Sequence, residues 1–253
     1  MSVSRNRCRN TGIEHPKPYL TLVDSKKLRE KVDRYLDKKH AEWNATVPFA
    51  THFENGEKVH SEYYQRNLIE TALRIRLLRV SESKALAEIA KVSPKAAQIW
   101  ANYESEEMIH DTLFADDLSR LGIDKKLVLE TEPYLSTKLL TGFFSYLLDH
   151  EGPLGVVAYS YLVEYINVKI DPAKIEGMKQ SLGEERIKGQ IAHTHTDLTE
   201  DHPGEIWDVL RAMIRSEEDI EDLFKYLDEH QRILKMFFEE IYEDKVVSKV
   251  KTA

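Results

Sequence analysis

Apolar residues recur along this chain at the three- and four-residue steps of a helix, with no convincing run at the two-residue step of a strand. Leu28, Val32 and Leu36 mark a single stripe on a charged segment that Asp24 or Ser25 can cap and that ends before Pro48. Residues 49–60, with Asn55-Gly56 at the tip, read as a turn-rich connection. Tyr64, Leu68, Ala72, Ile75 and Leu78 mark a second helix over about 61–80, with Glu70 one position off its apolar face, and a short helical piece follows over 83–91. Arg74, Arg76 and Arg79 on that second helix read as a solvated face or as ion-pair partners.

A central helix starts with Ser93 as N-cap and Pro94 in the first turn, where a missing N–H costs nothing, and stops at Gly122. Ile99, Trp100, Tyr103, Leu113 and Phe114 make it heavily apolar. Asp124 can cap a short helix ending near Pro133. Residues 139–148 are nearly all apolar or aromatic and predict a buried helix, broken by His150-Glu151-Gly152-Pro153. The next helix, 154–170, holds Val157, Tyr161 and Ile166 and carries Glu164 inside it; Asp171-Pro172 should end it. A polar helix from about Gly183 then runs into the histidine-rich segment 193–203. Two more helices follow, one with Ile206, Trp207, Leu210 and Met213, the last capped by Ser216 and carrying Leu223, Leu227, Ile233, Phe237 and Ile241. The pattern predicts an all-α protein: a loose N-terminal arm over 1–20, then a single domain of about eight helices over 21–247.

Composition narrows the classes. The chain has 253 residues, 42% hydrophobic and 32% charged, enough for one large core. No apolar run approaches the roughly 20 residues of a membrane span, and the basic start has no apolar segment behind it, so neither a membrane anchor nor a signal peptide is expected. The net charge of −8 argues against nonspecific nucleic-acid binding. The one cysteine, Cys8, lies in the polar arm, which excludes an intrachain disulfide and fits a reducing cytoplasm. A homodimer is compatible with all of this.

The candidate chemistry sits on the apolar helices. Glu107 and His110 are three apart, on one face of a helix, a spacing that can present two ligands to one metal ion and equally describes a solvated pair. Glu164 interrupts an apolar segment, where it either ligates a metal or pairs with an arginine or tyrosine. His195 and His202 are seven apart, two helical turns, with Asp197 nearby. Imidazole and carboxylate ligands together suit iron or manganese, and two metals would need about this many donors with one bridging carboxylate. Without a placed cysteine, thiolate zinc and iron–sulfur sites are disfavoured.

These residues resemble the heme-oxygenase-like di-iron oxidases and oxygenases. That family pairs Glu and His on one core helix, places a second Glu on a later helix, and carries His-x3-Asp-x2-His on a third. Glu107 and His110 are similar to the first pair. Glu164, in the context Gly152-Pro153-Leu154-Gly155 and Tyr161-Leu162-Val163-Glu164, is similar to the second glutamate, and His195 and His202 have the spacing of the outer histidines. The likeness spans roughly 60–215. It implies a heme-oxygenase-like bundle, two iron ions, O2 as co-substrate, and oxidation of a small molecule bearing a carboxylate or an amine. The stretch 139–148, with Phe143, Phe144 and Tyr146, is either core or a substrate wall.

One departure stands out. The position four after His195 is Thr199 where the pattern has Asp. The other register, His193-x3-Asp197, puts Glu200 where the last histidine belongs. Either register lacks a ligand, which predicts a labile or absent second metal unless Asp197 reaches the site. Glu104 is an alternative to Glu107, and Glu70 a further carboxylate. Metal-free members of the same fold and a non-catalytic interaction protein are the competing readings. A thiamine-type hydrolase needs a core cysteine that this chain does not offer. Heme oxygenase needs a proximal histidine, for which His40, His52 and His60 are candidates without a clear apolar face.

Overall fold

The computed structural model describes residues 18–54 and 58–248. Most of the expected arm, Cys8 and Asn55-Gly56 lie outside them. Leu20, placed in that arm by sequence, is already buried against the core. The described residues are all-helical, without a strand: α1 (Leu22–Thr46), α2 (Ser61–Val92), α3 (Pro94–Glu107), α4 (His110–Arg120), α5 (Lys125–Glu130), α6 (Leu135–Tyr146), α7 (Leu154–Leu182), α8 (Lys188–Thr199), α9 (His202–Met213) and α10 (Glu217–Tyr242).

Several helix ends move relative to the sequence reading, each for a physical reason. Thr21, not Asp24 or Ser25, caps α1, its hydroxyl accepting from the Asp24 N–H at 3.1 Å. Ser25 is instead buried and accepts from Trp207 Nε1 at 3.0 Å. The stripe Leu28, Val32 and Leu36 is buried as expected. α2 runs unbroken through Ser81-Glu82-Ser83, because low helix propensity without a proline is easily outweighed by packing along its length. α7 passes through Pro172, which denies a hydrogen bond to the Val168 carbonyl; Pro172 is exposed, so water can serve that carbonyl. Further along α7, a Cβ at Gly177 would lie 2.1 Å from the Phe53 carbonyl oxygen, so glycine there lets the connection after α1 pack directly on the helix.

The centre of the bundle is the first part of α7. Every residue from Leu154 to Leu162 is buried, which is why that segment shows no amphipathic stripe. α9 and α10 pack against it, α1 lies alongside, and α6 packs on α2 and α10. α6 buries Leu140 and Phe144 but exposes Leu139 and Tyr146, so the stretch 139–148 is half-buried rather than central. On the other side α2 packs against α3 and α4, α4 against α8, and α3 against α9. The helices carrying the candidate ligands, α3, α4, α7, α8 and α9, thus meet in one region.

Candidate metal centre

The central helix predicted through 94–121 is interrupted. α3 ends at Glu107, Met108 and Ile109 form a turn, and α4 restarts at His110. Ile109, 64% exposed, adopts a non-helical backbone with φ −121°. Across this break His110 Nδ1 lies 2.7 Å from Glu107 Oε2. Glu107 and His110 therefore meet, but as the end and the start of two helices rather than as neighbours on one.

α8 is fixed to α4 by Asp117. This fully buried carboxylate accepts the N–H groups of Gly189 at 2.7 Å and Gln190 at 2.9 Å, in the first turn of α8 where backbone donors have no helical partner. Arg120 donates to it at 2.7 Å. A Cβ at Gly189 would lie 2.0 Å from the Leu113 carbonyl oxygen, so the approach of α8 to α4 requires glycine. One turn further on, the His193 ring sits 4.7 Å from that of His110 and 5.4 Å from that of Phe114.

α8 then stops at Thr199. Asp201 caps α9, its carboxylate accepting from the Gly204 N–H at 3.1 Å, and His202 opens the new helix. This break overturns the two-turn argument. His195 is exposed on α8 and joins none of the clusters below, whereas His193 and Asp197 turn inward and His202, on α9, is 1% exposed. Thr199 is exposed and its hydroxyl donates to the carbonyls of His195 and Thr196, so a carboxylate there would face solvent. The expected missing ligand is not at 199: the break at Glu200–Asp201 brings Asp197 and His202 to the same region from successive helices.

Among the described residues three clusters offer ligand atoms within 4.8 Å of one another: Glu107, His110 and His193; Glu107, Glu164 and His202; and Asp171, His193 and Asp197. The first two share Glu107. Ligand atoms on opposite sides of one iron- or zinc-sized ion lie about 4 Å apart, twice a roughly 2.0–2.2 Å bond, so a small contraction would close either cluster. Asp171 is engaged by Lys174 at 3.1 Å.

The polar atoms between these side chains lack partners. Glu104 Oε1, Glu107 Oε1, Glu164 Oε2, both Asp197 oxygens and His202 Nδ1 are buried without a hydrogen bond. Asp197 Oδ2 is 3.1 Å from His193 Nδ1 and Glu164 Oε2 is 3.5 Å from His202 Nδ1, close as charges but poorly disposed for bonding. Orphaned buried acceptors are rare and costly, and a cation among them would satisfy many at once. The residues present could hold a metal ion.

The electrostatics agree. Burial, then the neighbouring Glu107, pushes Glu104 up to about 8. Burial also raises Glu164, opposed by His202, and Glu82 lies well above its usual range through burial, Glu104 and Glu107. Burial alone would lower the two histidines, but Asp197 and Glu107 take His193 to about 9, and Glu164 and Glu106 take His202 to about 10. Negative charge thus collects here faster than the protein neutralises it. Tyr103 closes the site on one side, its hydroxyl donating to Glu164 Oε1 at 2.9 Å and its ring lying 5.5 Å from that of His202.

Other candidates resolve differently. Glu70 is fully buried, is engaged by Arg66, the Tyr134 N–H and the Thr137 hydroxyl, and belongs to none of the clusters. His52 accepts from the His60 N–H at 2.8 Å, and His60 caps α2. Glu82 was missed by sequence reasoning, because it lay in a segment taken for a break. His193 was visible only as the alternative register; its spacing of four from Asp197 was the signal.

A cavity of about 260 Å³ opens beside Glu107, Glu164 and His193. Its walls come mainly from α1, α2, α7 and α10, including Trp43, Tyr159, Phe237 and Phe238, with residues of α3, α4 and α8; no residue of 139–148 lines it.

No family model matches this chain, and no curated protein does. Among solved structures it is similar to a domain of unknown function with a heme oxygenase-like fold from Shewanella denitrificans OS217, with a TM-score of 0.75 over 88% of this chain and 94% of that one, at 18% sequence identity. The chain has a heme-oxygenase-like fold. Within that fold it carries a buried Glu/His cluster with possible metal-binding groups. Among the described residues no helix is long and apolar enough to cross a membrane.

Proposed function

We propose that this protein is a non-heme di-iron oxidase or oxygenase that activates O2 and oxidises a small organic substrate in the adjoining cavity. One observation carries the reading: Glu107 belongs to two ligand clusters at once, as a carboxylate bridging two metals must. Glu107, His110, His193 and Asp197 would hold one iron, and Glu107, Glu164 and His202 the other. The mixture of imidazole and carboxylate donors suits iron, and reduced iron supplies the electrons that O2 needs. In this reading Asp197, 3.1 Å from His193 Nδ1, would supply the carboxylate that Thr199 lacks.

The protein's own groups have separable tasks. Tyr103 holds Glu164 in one orientation through its hydroxyl. Glu106 does the same for His202, with 2.9 Å between its carboxylate and Nε2, and the remaining ring nitrogen, Nδ1, faces Glu164. Glu104, pushed up to about 8, holds a proton at neutral pH and relieves the crowding of carboxylates around Glu107.

The test is anaerobic titration of the metal-free protein with iron(II), followed by exposure to O2. Two irons per chain and an O2-dependent absorbance change are expected. A chain that binds no stoichiometric iron is not this enzyme, and the cluster is then a structural network.

A further inference from the structure

Arg74 departs from the reading of its neighbours. Arg79 pairs with Asp111 and Arg76 is exposed, but Arg74, on α2, lines the cavity. Among the described residues it has no hydrogen bond and no ion pair; its guanidinium lies over the Phe237 ring, 5.4 Å from guanidinium carbon to centroid. The other cationic side chains on the cavity wall are engaged, Lys39 by Asp228 at 2.9 Å and Lys174 by Asp171 at 3.1 Å, while His40 is bonded to Asn44. Glu82 lines the same cavity and feels the charge of Arg74, yet forms no ion pair with it. A half-buried guanidinium with no ion-pair partner offers a planar fork of donors matched to a carboxylate, in a cavity whose wall also carries the rings of Trp43, Tyr159, Phe237 and Phe238.

We propose that Arg74 anchors the carboxylate of the substrate, which is a small monoanionic acid with an aromatic or aliphatic body packed against Tyr159, Phe237 and Phe238. This rests on the reading of the cavity as the substrate site. It assigns the anion to the protein's own guanidinium rather than to the metals. The eight residues from Arg74 to Glu82 rise roughly 12 Å along α2, so the anchor is rooted well below the level at which α2 meets the carboxylate cluster. The cavity, about 260 Å³, is at the small end of ligand pockets, which favours a compact body.

The experiment uses the metal-free protein, so that it does not depend on iron. Calorimetric titration compares 4-phenylbutyrate, 4-phenylbutylamine and 4-phenyl-1-butanol, identical but for the head group. The acid should bind the parent at least about tenfold more tightly than the other two, the scale of a charge-assisted hydrogen bond. Arg74→Gln should abolish that preference, and Arg74→Lys should restore part of it, showing that charge rather than folding was lost. Both variants should take up as much iron as the parent. If the parent shows no preference for the acid, or Arg74→Gln keeps it, the proposal is overturned. If the parent prefers the acid through Arg74 but binds no iron, the proposal stands and the di-iron reading fails.

Discussion

Glu107 is the residue whose loss separates this account from simpler ones. It lies in both clusters, its carboxylate 16% exposed, 2.7 Å from His110 and within 4.8 Å of ligand atoms of His193, Glu164 and His202. Glu107→Gln keeps the shape and removes one negative charge next to two cations. A unit charge pair at about 4 Å in a partly buried protein environment is worth roughly 4 kcal/mol, and desolvation offsets part of it, so each metal should lose about 2–4 kcal/mol, or roughly 30- to 1,000-fold in affinity. His110→Ala and His202→Ala each remove a donor from one cluster alone. Anaerobic iron(II) titration with a competing chelator should therefore give two irons in the parent, about one in each histidine variant, and two weakened sites in Glu107→Gln. Circular dichroism controls for folding, which the histidine variants should retain because alanine is a strong helix former. If Glu107→Gln weakens a single site, or either histidine variant weakens both equally, Glu107 is not a bridge and the shared-ligand argument is wrong.

Three further outcomes follow from the same geometry. Iron affinity should rise with pH between 6 and 8, because burial is outweighed by carboxylates that hold His193 protonated up to about 9 and His202 up to about 10, and a metal must displace those protons; an affinity independent of pH in competition titrations would contradict this. Asp117→Ala should destabilise the protein by about 3 kcal/mol in urea, since it orphans two N–H groups at the start of α8 and Arg120, and it should weaken iron binding through His193; a loss below about 0.5 kcal/mol would remove Asp117 from its anchoring role. His230 is fully buried, bonded to the Gly155 carbonyl at 2.8 Å, and burial lowers it to about 4, below its unfolded value near 6.5. Unfolding therefore takes up a proton below pH 6.5, so this residue contributes stability that is full above that pH and falls by about 3 kcal/mol as pH drops towards 4; His230→Gln should flatten that part of the urea-midpoint profile, and an unchanged profile would refute it.

Much of the architecture was legible because it rests on local rules. The Ser93-Pro94 start, the Asp124 and Ser216 caps and the Gly122 stop are all where steric preference and orphan N–H groups require them. The stripe Leu28, Val32 and Leu36 is buried because a three-to-four residue period leaves it one face to bury. Glu107, His110 and Glu164 were conspicuous for the same reason: polar groups on apolar helices need partners.

The sequence by itself determined an all-helical chain and most of the side chains from which a metal centre could be made. Tertiary structure decided which of them meet. The break at Met108–Ile109, the continuation of α7 through Pro172 and the end of α8 at Thr199 are settled by packing across helices, where a lost hydrogen bond of a few kcal/mol is outweighed by buried area. A one- or two-residue interruption rotates everything beyond it by 100° or more, which is why counting turns from His195 to His202 paired two side chains that the structure separates, while His193 joins the clusters. The anchoring of α8 by Asp117, 72 positions away from Gly189, and the placement of Arg74 in a cavity walled by several helices have no signature in any local window, because they depend on which faces come together.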